Sequence, residues 1–187
     1  KFSRWTSTGK IILEKFPDHS ILGEETGMTD KNSEYLWCID PIDGTSNFAN
    51  GIPIFGISIA LVHKGEIQMG VVYNPIINTL YYAEKGKGSY FNDKRVFVSK
   101  DEKDHSIVSI SASRRKQKEE FFRSLASFVP EKFRSLRIMG CCVLDLAMVA
   151  RGSTEANIQI GLSPYDFAAG VLLVQEAGGM ITNFDGT

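Results

Sequence analysis

The sequence has few cysteines and lacks the cysteine patterns that bind zinc or form a disulfide framework. Only three cysteines occur in 187 residues, and two of them, Cys141 and Cys142, are adjacent. Adjacent cysteines are poorly placed to form a disulfide with each other, and no CxxC pair is present. The pattern argues against a disulfide-stabilised or zinc-stabilised domain and predicts free thiols in a reducing cytoplasm.

The sequence also lacks an excess of charge of one sign and any long apolar run. Its 21 Lys and Arg residues nearly balance 22 Asp and Glu residues, so the net charge is −1. We therefore expect no general electrostatic attraction to nucleic acid or to an anionic membrane. No apolar run approaches the roughly 20 residues that cross a bilayer. The 43% of hydrophobic residues is typical of a globular protein with an ample core.

The stretch Asp40-Pro41-Ile42-Asp43-Gly44-Thr45 carries the clearest chemical signal. It follows the apolar run Tyr35–Ile39, which predicts a buried strand. Two carboxylates three residues apart at the end of a strand are expected to converge on one small volume. They repel each other there unless a cation neutralises them. An all-oxygen ligand set favours Mg²⁺, with Mn²⁺ or Ca²⁺ as alternatives.

A helix is expected to begin at Gly44, Thr45 and Ser46, directly after the two carboxylates. The first N–H groups of a helix have no partner inside it, and they suit a phosphate group. A metal site beside a phosphate site suggests phosphoryl chemistry.

Two further acids follow predicted elements in a similar way. Glu24 comes after a predicted strand at His19–Leu22, and Asp166 lies near the start of a predicted helix at Pro164–Ala177. Together with Asp40 and Asp43 they offer oxygens for two or three cations. Two metals about 3.5–4 Å apart can hold the attacking and leaving oxygens of an in-line displacement.

The order of the predicted elements indicates layers of helix and sheet around one cleft. The first half is rich in antiparallel hairpins, and the second half alternates strand and helix, ending in a predicted strand at Gly179–Asn183. We expect one domain over residues 1–187, with an N-terminal α+β half to about residue 110 and a C-terminal α/β half from about residue 111. Both ends of the sequence are expected to lack parts of the full domain.

Four segments of the sequence together resemble the inositol monophosphatase family. They are Gly23-Glu24-Glu25, Asp40 to Phe48, Tyr165 to Gly170, and Glu176-Ala177-Gly178-Gly179. The resemblance covers nearly the whole chain from about Pro17 onward. It implies an α/β (α+β) fold of the layered αβαβα sandwich type. It also implies a Mg²⁺-dependent phosphomonoesterase, often lithium-sensitive and commonly a homodimer.

The resemblance implies a metal-binding role for five residues. Glu24 would ligate one metal, and Asp40 would bridge two. Ile42 would contribute its backbone carbonyl oxygen, while Asp43 and Asp166 would complete the second site. The implied cofactor is Mg²⁺, with two or three ions in each active site.

The resemblance also implies catalytic and substrate-binding roles. Glu24, Thr45 and Asp43 would be catalytic, with Thr45 bonded to the attacking water beside Glu24. Direct attack by water, without a phospho-enzyme, agrees with the way a metal activates water and offsets phosphoryl charge. The implied substrate contacts are Asp43, Gly44, Thr45, Gly140, Cys141, Gln159 and Asp166.

This sequence departs from the family pattern at several positions. Gln159 lies where many members have a Glu that accepts hydrogen bonds from substrate hydroxyls, and Gln lacks that charge. Tyr165 replaces the usual Trp. Gly140, Cys141 and Cys142 occupy a helix start where small or hydroxyl residues are usual. The Asp that the family places in an N-terminal helix has no match in Lys1 to Gly9.

Three functions therefore remain open. The leading one is Mg²⁺-dependent hydrolysis of a small phosphate monoester, inositol monophosphate first, with a sugar phosphate such as fructose 1,6-bisphosphate or a nucleotide 3′-phosphate as alternatives. The second is a regulatory protein of the same fold that binds the transcription machinery, for which Arg114-Arg115-Lys116 offers a basic segment. The third is a degenerate phosphatase that binds metal poorly.

Overall fold

The computed structural model describes residues 7–100, 106–112 and 118–187, and it contains two sheets and five helices. The helices are α1 (Ser7–Lys15), α2 (Thr45–Ala49), α3 (Lys118–Lys132), α4 (Cys142–Ala150) and α5 (Pro164–Glu176). The strands of the larger sheet are β1 (Ser20–Gly23), β2 (Gly27–Thr29), β3 (Tyr35–Asp43), β4 (Gly56–His63), β5 (Glu66–Asn74), β6 (Thr79–Glu84), β7 (Gly88–Phe91) and β8 (Lys94–Val96). The strands of the smaller sheet are β9 (Ile107–Ala112), β10 (Ser135–Arg137) and β11 (Ala156–Ile160).

The larger sheet has the strand order β2-β1-β3-β4-β5-β6-β7-β8. Only β1 and β3 pair in parallel, and every other neighbouring pair is antiparallel. The chain turns at His63–Glu66 between β4 and β5, which is one of the antiparallel hairpins predicted for the first half. The smaller sheet has the order β10-β9-β11 and is parallel throughout.

Helices cover both faces of the larger sheet. On one face, Ile12 of α1 packs with the buried side chains of Ile21 and Trp37. On the opposite face, Val72 and Tyr81 pack against α4 and α5, and this cluster forms the main core. The burial of apolar side chains on both sides stabilises the sheet, because each face is removed from water.

The smaller sheet lies beyond α4 and carries α3 on its outer face. Val108 and Ile110 of β9 pack against Phe121 and Leu125 of α3. The other face is turned to α4, which contacts β11. The layers therefore run α1, larger sheet, α4 with α5, smaller sheet, α3, which confirms the predicted αβαβα sandwich.

One predicted element is wrong. The stretch Gly179–Asn183 forms no strand, and the described chain after Ala177 is irregular. Its short apolar run finds no neighbouring strand to pair with among the described residues, and an unpaired strand leaves its backbone donors and acceptors without partners. The division into halves near residue 110 stays a prediction; the larger sheet ends at Val96 and the smaller one begins at Ile107.

None of the helices in the described ranges combines the length and hydrophobicity that crossing a membrane requires. The cysteines Cys38, Cys141 and Cys142 are all free and buried. Burial raises the pKa of the Cys38 thiol to about 11, which keeps it protonated at neutral pH.

Helix α5 approaches the larger sheet so closely that a side chain would not fit at Gly70. A Cβ atom there would lie 2.7 Å from the carbonyl oxygen of Ala169 and 2.9 Å from its Cα. Both neighbours are backbone atoms of α5, so the helix itself would have to move. Gly70 therefore sets the distance between the sheet and the helix that carries Asp166.

We predict that Gly70→Ala destabilises the protein by about 1–3 kcal/mol, because overpacking forces α5 away from the sheet. Urea unfolding at equilibrium measures the change. Gln68→Ala, two residues away on the same strand, is the matched control and should stay within about 0.5 kcal/mol. Equal effects of the two substitutions would contradict the close packing of α5 on β5.

Candidate metal and phosphate site

A bulge at the end of β3 brings Asp40 and Asp43 together. In a regular strand, residues three apart point to opposite faces of the sheet. Here Asp40 pairs with Ser58 and Asp43 pairs with Gly56, so β3 contains one extra residue opposite β4. The extra residue restores a common direction for the two carboxylates. Pro41 sits within the bulge, where its missing N–H costs no ladder hydrogen bond.

Asp40 is the most deeply buried of the predicted metal ligands. Only 1% of its surface is exposed, and its Oδ1 accepts a hydrogen bond of 2.9 Å from the N–H of Ile42. Burial raises the pKa of Asp40 to about 8, with further contributions from the negative charges of Glu24 and Asp43. Glu24 lies within hydrogen-bonding reach of Asp40, since it leaves β1 where that strand runs parallel to β3.

Asp43 is held by the start of α4. Its Oδ2 accepts a hydrogen bond of 2.7 Å from the N–H of Val143 and another of 3.2 Å from the thiol of Cys141. Burial raises the pKa of Asp43 to about 6, and these two donors limit the rise. The N-terminus of α4 thus favours the charged form of this carboxylate.

Asp166 is fixed by a capping box at the start of α5. Its Oδ2 accepts a 2.7 Å hydrogen bond from the N–H of Ser163, whose side chain in turn accepts from the N–H of Asp166. This reciprocal arrangement holds the carboxylate in one orientation. Burial and the charge of Glu24 raise the pKa of Asp166.

The four acids line one cleft of about 450 Å³ between the two sheets. The cleft brings together eight of the ten predicted site residues, namely Glu24, Asp40, Ile42, Asp43, Gly44, Thr45, Gly140 and Asp166. Nine further residues, which had no predicted role in the site, also line it: Ser46, Asn47, Ser111, Ala112, Cys142, Gly161, Leu162, Ser163 and Tyr165. Ser46 and Asn47 belong to the Asp40 to Phe48 motif and so have a signal in the sequence, whereas no sequence signal singles out Ser111, Leu162 or Ser163.

Cys141 and Gln159 do not line the cleft. The Cys141 side chain is fully buried behind it, while the neighbouring Cys142 does line it. Both amide atoms of Gln159 are buried and make no hydrogen bond of normal geometry with the described residues, although the Cys142 thiol lies close to this side chain. Gln159 borders instead a larger cavity of about 870 Å³, which lies against α3 and contains no cluster of acids. The substrate contacts predicted for Cys141 and Gln159 stay predictions.

The acids of the cleft suit a hydrated divalent cation. No ion pair within residues 7–100, 106–112 and 118–187 neutralises Glu24, Asp40, Asp43 or Asp166. Within the same ranges, no three acidic, Cys or His side chains approach closely enough to hold an ion by themselves. Mg²⁺ commonly binds through one or two carboxylates and completes its shell with water and phosphate oxygens. The oxygen donors, the burial and the unneutralised charge therefore fit Mg²⁺.

The turn at Gly44 leaves the start of α2 open toward the cleft. Gly44 has a φ of 88°, and no side chain caps the first N–H groups of the helix that follows. A Cβ atom at Gly44 would lie 3.0 Å from the carbonyl oxygen of Ile54 and 3.3 Å from that of Gly140. Glycine is therefore required here for both its backbone conformation and its size. The Gly44 N–H also interacts with the Asp43 carboxylate, and the first N–H groups of α2 have no side-chain cap.

Asp145 of α4 is a second buried acid, outside the cleft. It is completely buried, and neither of its oxygens makes a hydrogen bond of normal geometry with the described residues. Burial raises the pKa of Asp145 to about 8, the charge of Asp43 adds to the rise, and the nearby Ser109 hydroxyl partly offsets it. An ionised carboxylate in this position destabilises the folded state.

Fold and site together define a layered α/β protein with an acidic, phosphate-ready cleft between its sheets. The chain belongs to the inositol monophosphatase family, whose sequence model matches residues 6–187.

The relatives of this chain differ in their names. A fructose-1,6-bisphosphatase/inositol-1-monophosphatase from Aquifex aeolicus is 39% identical over 175 residues, which cover 92% of this chain and 66% of the relative. A Nus factor SuhB from Pasteurella multocida is 38% identical over 180 residues, covering 95% of this chain and 67% of the relative. The solved structure of an inositol monophosphatase from Anabaena superposes with a TM-score of 0.87 at 38% identity, covering 95% of this chain and 72% of that one. The chain thus spans about two thirds of the length of these relatives.

We predict that Asp145→Asn stabilises the metal-free protein by about 2 kcal/mol at pH 8 and has little effect at pH 4. The folded state holds a proton on Asp145 up to a pKa of about 8, whereas the unfolded chain releases it near 3.8. The contribution of this residue to stability therefore falls as the pH rises through that window. Urea unfolding in EDTA at the two pH values measures the difference.

The exposed acid Asp18 supplies the control for this measurement, since Asp18→Asn should change stability little at either pH. An Asp145→Asn effect of the same size at pH 4 and pH 8 would contradict the raised pKa.

Proposed function

We propose that this protein hydrolyses a small phosphate monoester in a Mg²⁺-dependent reaction, with inositol monophosphate as the first candidate substrate. The observation that carries the proposal is the bulge in β3, which aims Asp40 and Asp43 into one cleft beside the start of α2, where no side chain caps the helix. Membership of the inositol monophosphatase family and the phosphatase names of relatives support it.

In this reaction some residues would bind the metal ions, and others would bind the phosphate and the water. Glu24, Asp40, the carbonyl oxygen of Ile42, Asp43 and Asp166 would hold two or three Mg²⁺ ions. Bound Mg²⁺ lowers the pKa of water and offsets the charge of the transferring phosphoryl group.

The turn after β3 would bind and orient both the phosphate and the attacking water. The hydroxyl group of Thr45 would form a hydrogen bond with the water beside Glu24. The N–H groups of Gly44 and Thr45 would bind the phosphate oxygens. The hydrogen bonds from Val143 and Cys141 fix Asp43, so its carboxylate need not reorganise during the reaction.

Substrate choice would depend on the hydroxyl groups that line the cleft. Ser111, Ser163 and Tyr165 lie around the acids and suit the hydroxyl groups of a polyol or sugar. Fructose 1,6-bisphosphate is the second candidate, because relatives at 39% and 40% identity carry both names. Nucleotide 3′-phosphates are a further alternative. Inhibition by Li⁺, a homodimeric state and a cytoplasmic location belong to the same proposal.

A second candidate function is regulation of transcription. It is favoured by relatives named Nus factor SuhB, such as those at 38% and 35% identity from Pasteurella multocida and Vibrio cholerae. The basic segment Arg114-Arg115-Lys116, which suggested it from the sequence, lies outside the residues that the structure describes. Such binding would not require the carboxylates of the cleft.

We predict that Asp43→Asn lowers Mg²⁺-dependent phosphate release by at least about 100-fold, because a ligand charge is lost from the metal site. The assay measures phosphate released from inositol 1-phosphate, fructose 1,6-bisphosphate, adenosine 3′,5′-bisphosphate and 2′-AMP with Mg²⁺, EDTA or Li⁺. The same substitution should abolish thermal stabilisation by Mg²⁺, which is about 2.7 kcal/mol for the unchanged site at 100 times its Kd.

Asp18→Asn removes an exposed acid far from the cleft and should leave both the turnover and the Mg²⁺ effect unchanged. Undiminished phosphate release by Asp43→Asn would contradict the metal assignment. Absence of turnover on the whole panel, together with capture of transcription proteins that survives Asp43→Asn, would favour the regulatory function.

A further inference from the structure

The side chain of Asn47 connects segments that are far apart in the sequence. Its Nδ2 donates hydrogen bonds of 2.8 Å to the carbonyl oxygen of Ile54 and 2.7 Å to that of Met139, with the Gly140 oxygen at 3.5 Å. Met139 is 92 positions away and leads into α4. One amide group therefore joins the turn after β3 to the segment that precedes α4.

Both ends of this connection belong to the cleft. Asn47 lies in the first turns of α2, three residues after Gly44, and it lines the cleft together with Gly140. The carbonyl oxygens of Ile54 and Gly140 are the same atoms that enclose Gly44, at 3.0 and 3.3 Å from the position that a Cβ atom would take there. The amide of Asn47 thus holds in place the wall against which Gly44 and Thr45 lie.

The chemistry of this position requires a donor. Three carbonyl oxygens converge on the Nδ2 atom, and the two hydrogens of a side-chain amide satisfy the two near ones. A carboxylate of the same shape has no hydrogen to offer and would face these oxygens with its negative charge. Asn47→Asp therefore changes the interaction from attraction to repulsion while keeping the volume constant.

Asn50, the residue that follows α2, makes a local hydrogen bond instead. Its Nδ2 donates a 2.8 Å hydrogen bond to the carbonyl oxygen of Ser46, which lies within the same turn, and the side chain is exposed. Asn50 therefore stabilises α2 locally and makes no connection to α4 through this group.

We propose that Asn47 is a positioning residue, whose amide ties the phosphate-binding turn at Gly44 and Thr45 to the Met139–Gly140 segment and so sets the geometry in which phosphate binds. The effect on phosphate binding rests on the proposed phosphatase function. The tie, meaning the hydrogen-bonded link from Asn47 to the Met139–Gly140 segment, rests on the hydrogen bonds alone. Asn47 makes no hydrogen bond to a metal ligand itself, since Asp43 accepts from Val143 and Cys141 and Asp166 is held by its own capping box.

The test compares Asn47→Asp and Asn47→Ala with Asn50→Ala in the full chain. Amide hydrogen exchange, followed through residues 139–143, measures the tie directly. Inhibition by inorganic phosphate, the KM and kcat for inositol 1-phosphate, and the Mg²⁺-induced shift of Tm measure its consequence.

We expect the amide exchange rate of residues 139–143 to rise about tenfold in Asn47→Ala, because the hydrogen bond is lost. The rise should be larger in Asn47→Asp, because the carboxylate also repels the carbonyl oxygens. Inhibition by phosphate should weaken about tenfold, and KM should rise more than kcat falls. The Mg²⁺-induced shift should remain, and Asn50→Ala should resemble the wild type in every measurement. If Asn47→Asp does not fold, the Asn47→Ala comparison decides the question.

Exchange in residues 139–143 that matches the Asn50→Ala control would overturn the tie. Faster exchange with unchanged inhibition by phosphate would overturn the positioning role. If the wild-type protein neither binds phosphate nor releases it from any ester, the proposed function fails separately. In that case the exchange measurement still tests the hydrogen-bonded link from Asn47 to the Met139–Gly140 segment, but not its effect on phosphate binding.

Discussion

Unneutralised negative charge in a closed space is the constraint on which the rest of this structure depends. Asp40 is almost completely buried, and Glu24 and Asp43 are close enough to raise its pKa further. Such an arrangement opposes folding unless a proton or a cation compensates it. This buried charge, in a fold with helices packed on both sides of the sheet, is the physical basis of the proposed cation site. The two donors at the start of α4 stabilise Asp43 in the charged form that a cation needs.

The fold converts this constraint into a defined site by holding three chain segments against one another. The bulge of β3 presents two acids, the parallel strand β1 presents Glu24, and α5 presents Asp166 at a distance from the sheet that Gly70 permits. Helix α4 lies between the sheets and contacts the first segment through the hydrogen bond from Val143 to Asp43, while Asn47 contacts Met139 just before α4. Each contact uses backbone groups or short side chains, so the geometry has little freedom to relax.

The sequence was sufficient to predict the layered fold and the acids of the cleft, because both follow from local patterns. The Asp40–Thr45 motif places two acids and a glycine turn within six residues, and the alternation of strands and helices indicates the layers. The contact of Asn47 with Met139 could not be predicted, since no local pattern relates residues 92 positions apart. The strand expected at Gly179–Asn183 failed for a related reason: β-propensity does not provide a partner strand. Which of the adjacent thiols of Cys141 and Cys142 faces the cleft likewise depends on where α4 begins.

The central claim is that Asp40 and Asp43 bind a divalent cation together. Crystals of the protein grown with Mn²⁺ in place of Mg²⁺ allow a direct test, because Mn²⁺ gives an anomalous signal that locates it. We expect a peak in the cleft within about 2.1–2.2 Å of oxygens from both carboxylates, with water completing the shell. An empty cleft at saturating Mn²⁺, with the two carboxylates sharing a proton instead, would contradict it.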